Sequence, residues 1–183
     1  RMRNLQVLLR HLSLSGIKIH VWEAGDVRSE LSGFASNKDT YTYERDESLV
    51  YHKTLYVNRL LKAASTPVVA IWDADILLPL SQIEASVLAI IEQMLSEAQS
   101  EAFEYSGQGC DYLTMFAATY ARLMRRPSCG GVFVVDREKY LHWGGDNERF
   151  VSWGPEDAER IRRIEILGYP VHWVKEGPLY HLW

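Results

Sequence analysis

Leu5, Leu8, Leu9 and Leu12 recur at the spacing of one helix face, which predicts a helix over residues 2–14 ended by Gly16. "IKIHVWE" then reads as a strand. Residues 25–47 are polar and irregular, with a short strand possible at "TYTYE". In "YHKTLYVNRLLKAAS", Leu55, Leu60, Leu61 and Ala64 share a helical face. "TPVVAIWDA" is nearly continuous in apolar residues, the mark of a parallel strand buried on both faces. Ser81, with Glu84 three residues later, forms a capping-box pattern for a helix running to about residue 98.

Residues 100–111 read as loop, and "YLTMFAATYARLMRR" as a second helix stopped at Pro127. "GGVFVVD" is a further strand and "REKYLHW" a short helix. The Gly-rich segment "GGDNERFVSWG" leads into a helix "PEDAERIRRIEILG", with Pro155 suited to its first turn and Gly168 to its end. "YPVHWV" and "PLYHLW" close the chain as short strands. There are no internal repeats and no Pro/Gly-rich linker. This alternation predicts an α/β fold, a Rossmann-like, mostly parallel central sheet flanked by helices. Ligands in such sheets bind beyond the carboxyl ends of the strands, where Asp73 and Asp75 lie.

Composition narrows the function classes. The 183 residues suffice for one domain with a sizeable core, and 47% apolar with 24% charged residues is a globular mix. A net charge of −4 gives no electrostatic reason to expect nucleic acid, so an anionic ligand needs a local cation. Cys110 and Cys129 make no CxxC or disulfide pattern and read as thiols in a reducing compartment. No apolar run reaches the roughly 18 residues of a membrane span. The expected location is cytoplasmic, either free or at the inner face of the membrane.

Five stretches offer chemistry. In Asp73-Ala-Asp75, residues two apart on an extended segment point the same way, and two such carboxylates repel unless a cation joins them. Hard divalent ions take oxygen ligands and share them with phosphates; a plain strand end fits the same tripeptide. In "WGPED", the acids Glu156 and Asp157 open a helix, where helix capping accounts for one of them. Alternatively, one binds a hydroxyl while the other takes a proton, and Trp153 offers a flat face to a sugar ring. His181 is either structural or a Mn²⁺ ligand. Lys53 and Asn58, five apart on a helix and so not on one face, are a phosphate cation and a base-pairing amide, or simply solvated residues. Gly130 and Gly131 permit close backbone approach or form a bulge.

Taken in order, a strand ending in DxD, then "GGV", then "WGPED" at a helix start and a late His resemble the GT-A glycosyltransferases. The resemblance is to β-1,4-galactosyltransferases and related inverting bacterial transferases, over residues 50–183. It implies a metal-dependent glycosyltransferase of polysaccharide biosynthesis, using Mn²⁺ or Mg²⁺. The implied donor is a UDP-sugar of galactose or N-acetylgalactosamine type, and the acceptor a glycan or other hydroxyl compound. The same resemblance makes Asp75 and His181 the metal ligands and Asp157 the catalytic base, with inversion. Asp73, Lys53, Asn58 and Glu156 fall to the donor, and Trp153, Gly131 and Glu156 to the acceptor. A retaining GT-A transferase, or a non-catalytic sugar-nucleotide or glycan-binding module on the same fold, is the alternative.

The sequence departs from the family pattern at Lys53, where the galactosyltransferases have Arg, and at two prolines. Pro155 replaces the second Gly of the family's "WGGED", and Pro178 stands where the family has a metal-assisting Met. Residues 1–183 are expected to form a single GT-A domain whose first strand lies outside the sequence.

Overall fold

The computed structural model describes residues 2–29, 31, 39–96, 111–116, 119–124, 129–152, 154–174 and 178–182. The chain opens with helix α1 (Met2–Leu12), whose Leu8, Leu9 and Leu12 are buried as its leucine spacing requires. Strands β1 (His20–Gly25) and β2 (Thr40–Arg45) pair in parallel, so "TYTYE" is a strand. Helix α2 (Lys53–Ala63) delivers the chain to β3 (Val68–Trp72) and the two-residue strand β4 (Ile76–Leu77). Helix α3 follows (Leu80–Ser96).

Next come β5 (Asp111–Phe116), β6 (Thr119–Met124), β7 (Val132–Asp136) and helix α4 (Arg137–His142). Helix α5 (Glu156–Ile166) and strand β8 (Pro178–Leu182) complete the chain. Asp136 ends β7 and caps α4, its Oδ1 accepting from Lys139 N at 3.1 Å.

The α/β architecture holds, but pairing is mixed rather than mostly parallel. β1–β2 and β5–β8 are parallel, whereas β3–β7, β4–β8 and β5–β6 are antiparallel. β3 is accordingly only half-buried, with Ala70 exposed, while its partner β7 is buried at all five positions. The continuous apolar run expected of a strand covered on both faces is therefore a property of β7.

The largest correction is at residues 112–126, expected to be helical. They contain the antiparallel pair β5–β6, and β5 lies parallel to β8. Tyr112, Thr114, Phe116, Thr119 and Tyr120 suit a pleated surface. A long-range partner strand, β8, overrides the helical tendency of Leu113 and Met115. Most of the predicted loop at 100–111, and Pro127, lie outside the described residues. Helix α3 begins at Leu80, which puts Ser81 inside its first turn rather than at the cap. Residues 171–174 form no strand; only "PLYHL" of the predicted closing pair does.

A core of Val57 and Leu61 (α2), Phe133 and Val135 (β7), Tyr140 (α4) and Ile161 and Ile164 (α5) joins these elements. Cys129 is half-buried and packs against it. A second cluster, Ile76, Leu78, Val132 and Leu179, locks β4, β7 and β8 together. These two clusters fix the end of β3, the start of α5 and the end of β8, the three places that carry the acidic and histidine motifs. Among the described residues, no helix is long and apolar enough to cross a membrane.

Candidate active site

The DxD segment is a turn, not an extension of β3. Asp73 N donates to Gly131 O at 2.8 Å, continuing the β3–β7 ladder by one bond, and Ile76 N then donates back to Asp73 O at 3.1 Å. The two carboxylates therefore diverge instead of pointing the same way. Asp73 faces α2 and α5; Asp75 faces β8.

On the Asp73 side, the Lys53 ammonium sits among three carboxylates: Asp73 Oδ1 at 3.2 Å, Glu156 Oε1 at 3.3 Å and Asp157 Oδ2 at 3.8 Å. Lys53 opens α2, while Glu156 and Asp157 open α5, whose N-terminus favours negative charge. Burial is the largest single influence on Lys53 and opposes its charge. Asp73, Asp157 and Glu156 together outweigh it and hold the lysine pKa above its ordinary value. The Asp73 carboxyl is pushed upward, first by burial and then by repulsion from Asp157 and Asp75, with Lys53 opposing. Glu156 is buried, and its Oε2 has no hydrogen-bond partner among the described residues. An unpaired buried carboxylate oxygen is costly, and a ligand hydroxyl would satisfy it.

On the other side, Asp75 Oδ2 lies 3.3 Å from His181 Nε2, both side chains partly exposed. The register sets this pair: Ile76 opposes His181 across β4–β8, and Leu182 N donates to Asp75 O at 2.7 Å. One oxygen and one nitrogen donor form a set that Mn²⁺ accepts. Two donors about 2.1 Å from one octahedral ion stand about 3 Å apart at a right angle, so the pair fits a single cation. Among the described residues no group of three or more His, Cys, Asp or Glu is arranged to hold a metal. An ion held by these two side chains has coordination positions left for ligand oxygens and water.

The remaining predicted residues fall into three groups. Gly131 has φ +109°, and a Cβ on it would meet Leu179 Cδ1 at 3.1 Å, so it serves the close approach of β7 to β8. Asn58 is not brought to Lys53. It is buried, donates from Nδ2 to Asp146 O at 2.8 Å, and accepts from Asp146 N at 2.7 Å. It lines a separate concavity with Trp143, Asp146, Glu148 and Arg163, which none of Lys53, Asp73, Glu156 and Asp157 lines. Trp153 lies outside the described residues. Its neighbour Ser152 has φ +66°, a conformation that non-glycine residues rarely adopt, and donates from N to Tyr51 O at 2.7 Å.

Sequence reasoning missed Arg160. It is fully buried, bonds Asp157 Oδ1 through Nη1 at 2.8 Å and grips Asp146 through Nε and Nη2 at 2.9 Å each. The signal was legible: Arg160 stands three residues after Asp157 and shares the buried face of α5 with Ile161 and Ile164. A lone cation in an apolar stripe requires a buried partner.

The assembled groups suit an anionic, hydroxyl-rich ligand: a cation ringed by carboxylates, an unsatisfied buried acceptor, and a two-donor cation site formed by the same turn with β8. Residues 113–182 match a family model described as the N-terminal domain of galactosyltransferase, a stretch with "GGV", "WGPED" and His181 but not the DxD or Lys53. No curated protein matches the chain in sequence. Among solved structures, a point mutant of Drosophila β-1,4-galactosyltransferase 7 bound to manganese, UDP-Gal and xylobiose is similar. It is 16% identical with a TM-score of 0.51, over 90% of this chain and 70% of that one. The catalytic domain of the same Drosophila enzyme with xylobiose is 17% identical with a TM-score of 0.47, over 85% of this chain and 64% of that one. The chain has the fold of the GT-A glycosyltransferases and resembles the β-1,4-galactosyltransferases.

Proposed function

We propose that this chain is a metal-dependent glycosyltransferase that moves a sugar from a UDP-sugar, of galactose or N-acetylgalactosamine type, to an acceptor hydroxyl with inversion. The observation that carries this reading is the convergence of Asp73, Glu156 and Asp157 on Lys53, beside the Asp75–His181 pair. The Drosophila enzyme that shares the fold binds UDP-Gal, manganese and xylobiose, which supports the same donor, metal and acceptor classes here.

Asp75 and His181 hold a Mn²⁺ or Mg²⁺ ion, which when bound supplies Lewis-acid stabilisation of the charge growing on the leaving diphosphate. Lys53, charged throughout the working pH range, turns from the carboxylates to the diphosphate and adds a charge-assisted contact. Asp73 orients the donor, and the unpaired Glu156 Oε2 accepts from a sugar hydroxyl. The resemblance assigns the acceptor side to Trp153 and Gly131. Asp157 takes the proton from the acceptor hydroxyl as that oxygen bonds to the anomeric carbon. The bond from that carbon to the phosphate oxygen breaks, and its electron pair leaves on the nucleoside diphosphate. A base on the face opposite the leaving group gives the inverted anomer.

Screening a panel of nucleotide sugars with Mn²⁺ against sugar and glycan acceptors tests the reading. Transfer from one UDP-sugar, with the product anomer inverted by NMR, supports it. Metal-dependent donor binding without turnover on any acceptor favours the binding-module alternative, and retained configuration contradicts inversion.

A further inference from the structure

The two oxygens of Asp157 have different settings. Oδ2 points toward Lys53 and against Gly130, whereas Oδ1 accepts from Arg160 Nη1 at 2.8 Å. Arg160 is 1% exposed and fixed on every side. Its Nε and Nη2 bond the two oxygens of Asp146 at 2.9 Å each, Nε also reaches Tyr140 Oη at 3.0 Å, and the guanidinium lies 3.8 Å over the Phe133 ring. Asp146 is itself buried, accepts from Tyr140 Oη, and is clamped through its backbone by Asn58 of α2. A chain of bonds thus runs from α2 through the loop after α4 to α5, and it reaches the candidate site at Asp157.

We propose that Arg160 is the positioning residue for the catalytic base, and that Asp146 tunes it. By cancelling the guanidinium charge, Asp146 lets Arg160 hold Oδ1 in place and leaves Oδ2 to take the proton. The proposal rests on Asp157 being the base. Facing that carboxylate are Arg160 and Glu156 from α5, Lys53 from α2, Asp73 from the end of β3, and the Gly130 backbone. Of the charged groups, Arg160 bonds Oδ1, and Asp146 bonds Arg160 in turn.

The test compares Arg160→Met, Asp146→Asn and the double variant by pH profiles of transfer, with donor KM and thermal unfolding measured alongside. Arg160→Met removes a cation and leaves Asp146 charged, so the acid limb of kcat/KM moves to higher pH. Asp146→Asn leaves the guanidinium uncancelled, so the limb moves to lower pH. The double variant restores the net charge, and its limb returns toward the wild-type position. Its kcat stays down by about 10- to 100-fold, because the carboxylate has lost its anchor, with donor KM within about twofold.

Limbs that do not move, or that move the same way in both single variants, overturn the proposal. Replacing a buried ion pair as a unit is tolerated better than removing one partner. If the single variants do not fold, the double variant decides: a tenfold or larger kcat loss at unchanged donor KM supports the proposal, and a wild-type kcat overturns it. Asp157→Asn runs in parallel. Transfer at the wild-type rate in that variant overturns the underlying reading, whereas its loss beside wild-type-like Arg160 variants overturns this proposal alone.

Discussion

Gly130 is pressed against Asp157: a methyl group built on its Cα would stand 2.5 Å from Asp157 Oδ2 and 3.3 Å from Cγ. The strand that carries "CGGV" and the helix that carries "WGPED" therefore meet at this carboxylate, and the hydrogen of a glycine is what leaves room for it.

Gly130→Ala tests this contact. Gly130 lies outside the left-handed region, so alanine costs little backbone strain there. Its Cβ must displace the carboxylate from the position that Arg160 and Lys53 define. The expected outcome is a fall in kcat of about 10- to 100-fold with a melting temperature near wild type, read by steady-state kinetics and calorimetry.

Gly131→Ala has the opposite signature. At φ +109° an L-residue is strained, and its Cβ would crowd Leu179 Cδ1 at 3.1 Å and Ile76 Cγ1 at 3.5 Å. A loss of about 1–3 kcal/mol in urea unfolding is expected, with the residual folded protein keeping its donor affinity.

Lys53→Met isolates the cation. The folded-state pKa of Lys53 lies above its unfolded value near about 10.4. Its stabilisation is therefore fully present below that pH and is lost only as pH rises through the higher folded value. The stability gap between wild type and Lys53→Met should stay level from about pH 6 to 9 and close only in stronger alkali. Urea titrations across that range check it. Donor affinity in the variant falls because three carboxylates then face the diphosphate without their cation.

Asp75→Ala and His181→Ala test the metal pair. Each should weaken Mn²⁺-dependent UDP binding by at least about tenfold, since even outer-shell changes cost metal sites 10–100-fold. Calorimetry with UDP, with and without Mn²⁺, reads this, and unchanged affinity contradicts the assignment.

Much of the site was legible because its motifs sit at element ends, where local rules are strong. The apolar run into Asp73 and the Pro-Glu-Asp opening of α5 each marked a boundary, and the fold brings Asp73, Glu156 and Asp157 around Lys53. Long-range pairing was not legible. Residues 112–126 read as a helix because Ala, Leu and Met allow one, whereas pairing of β5 with β8 and of β6 with β5 makes 111–116 and 119–124 strands. Asn58 went to the donor because its motif matched, yet its amide is committed to the Asp146 backbone. Arg160 shares the apolar stripe of Ile161 and Ile164, a signal easily passed over on a helix that carries three arginines.

The central claim is that Asp157 performs the proton transfer in a sugar-transfer site. The most direct measurement is transfer from a UDP-sugar by Asp157→Asn, paired with calorimetric donor binding in Mn²⁺. Asp157→Asn is expected to lose about 10²- to 10⁴-fold in kcat, the range assigned to a general base, with donor affinity within about threefold of wild type. Transfer by Asp157→Asn at close to the wild-type rate would contradict it.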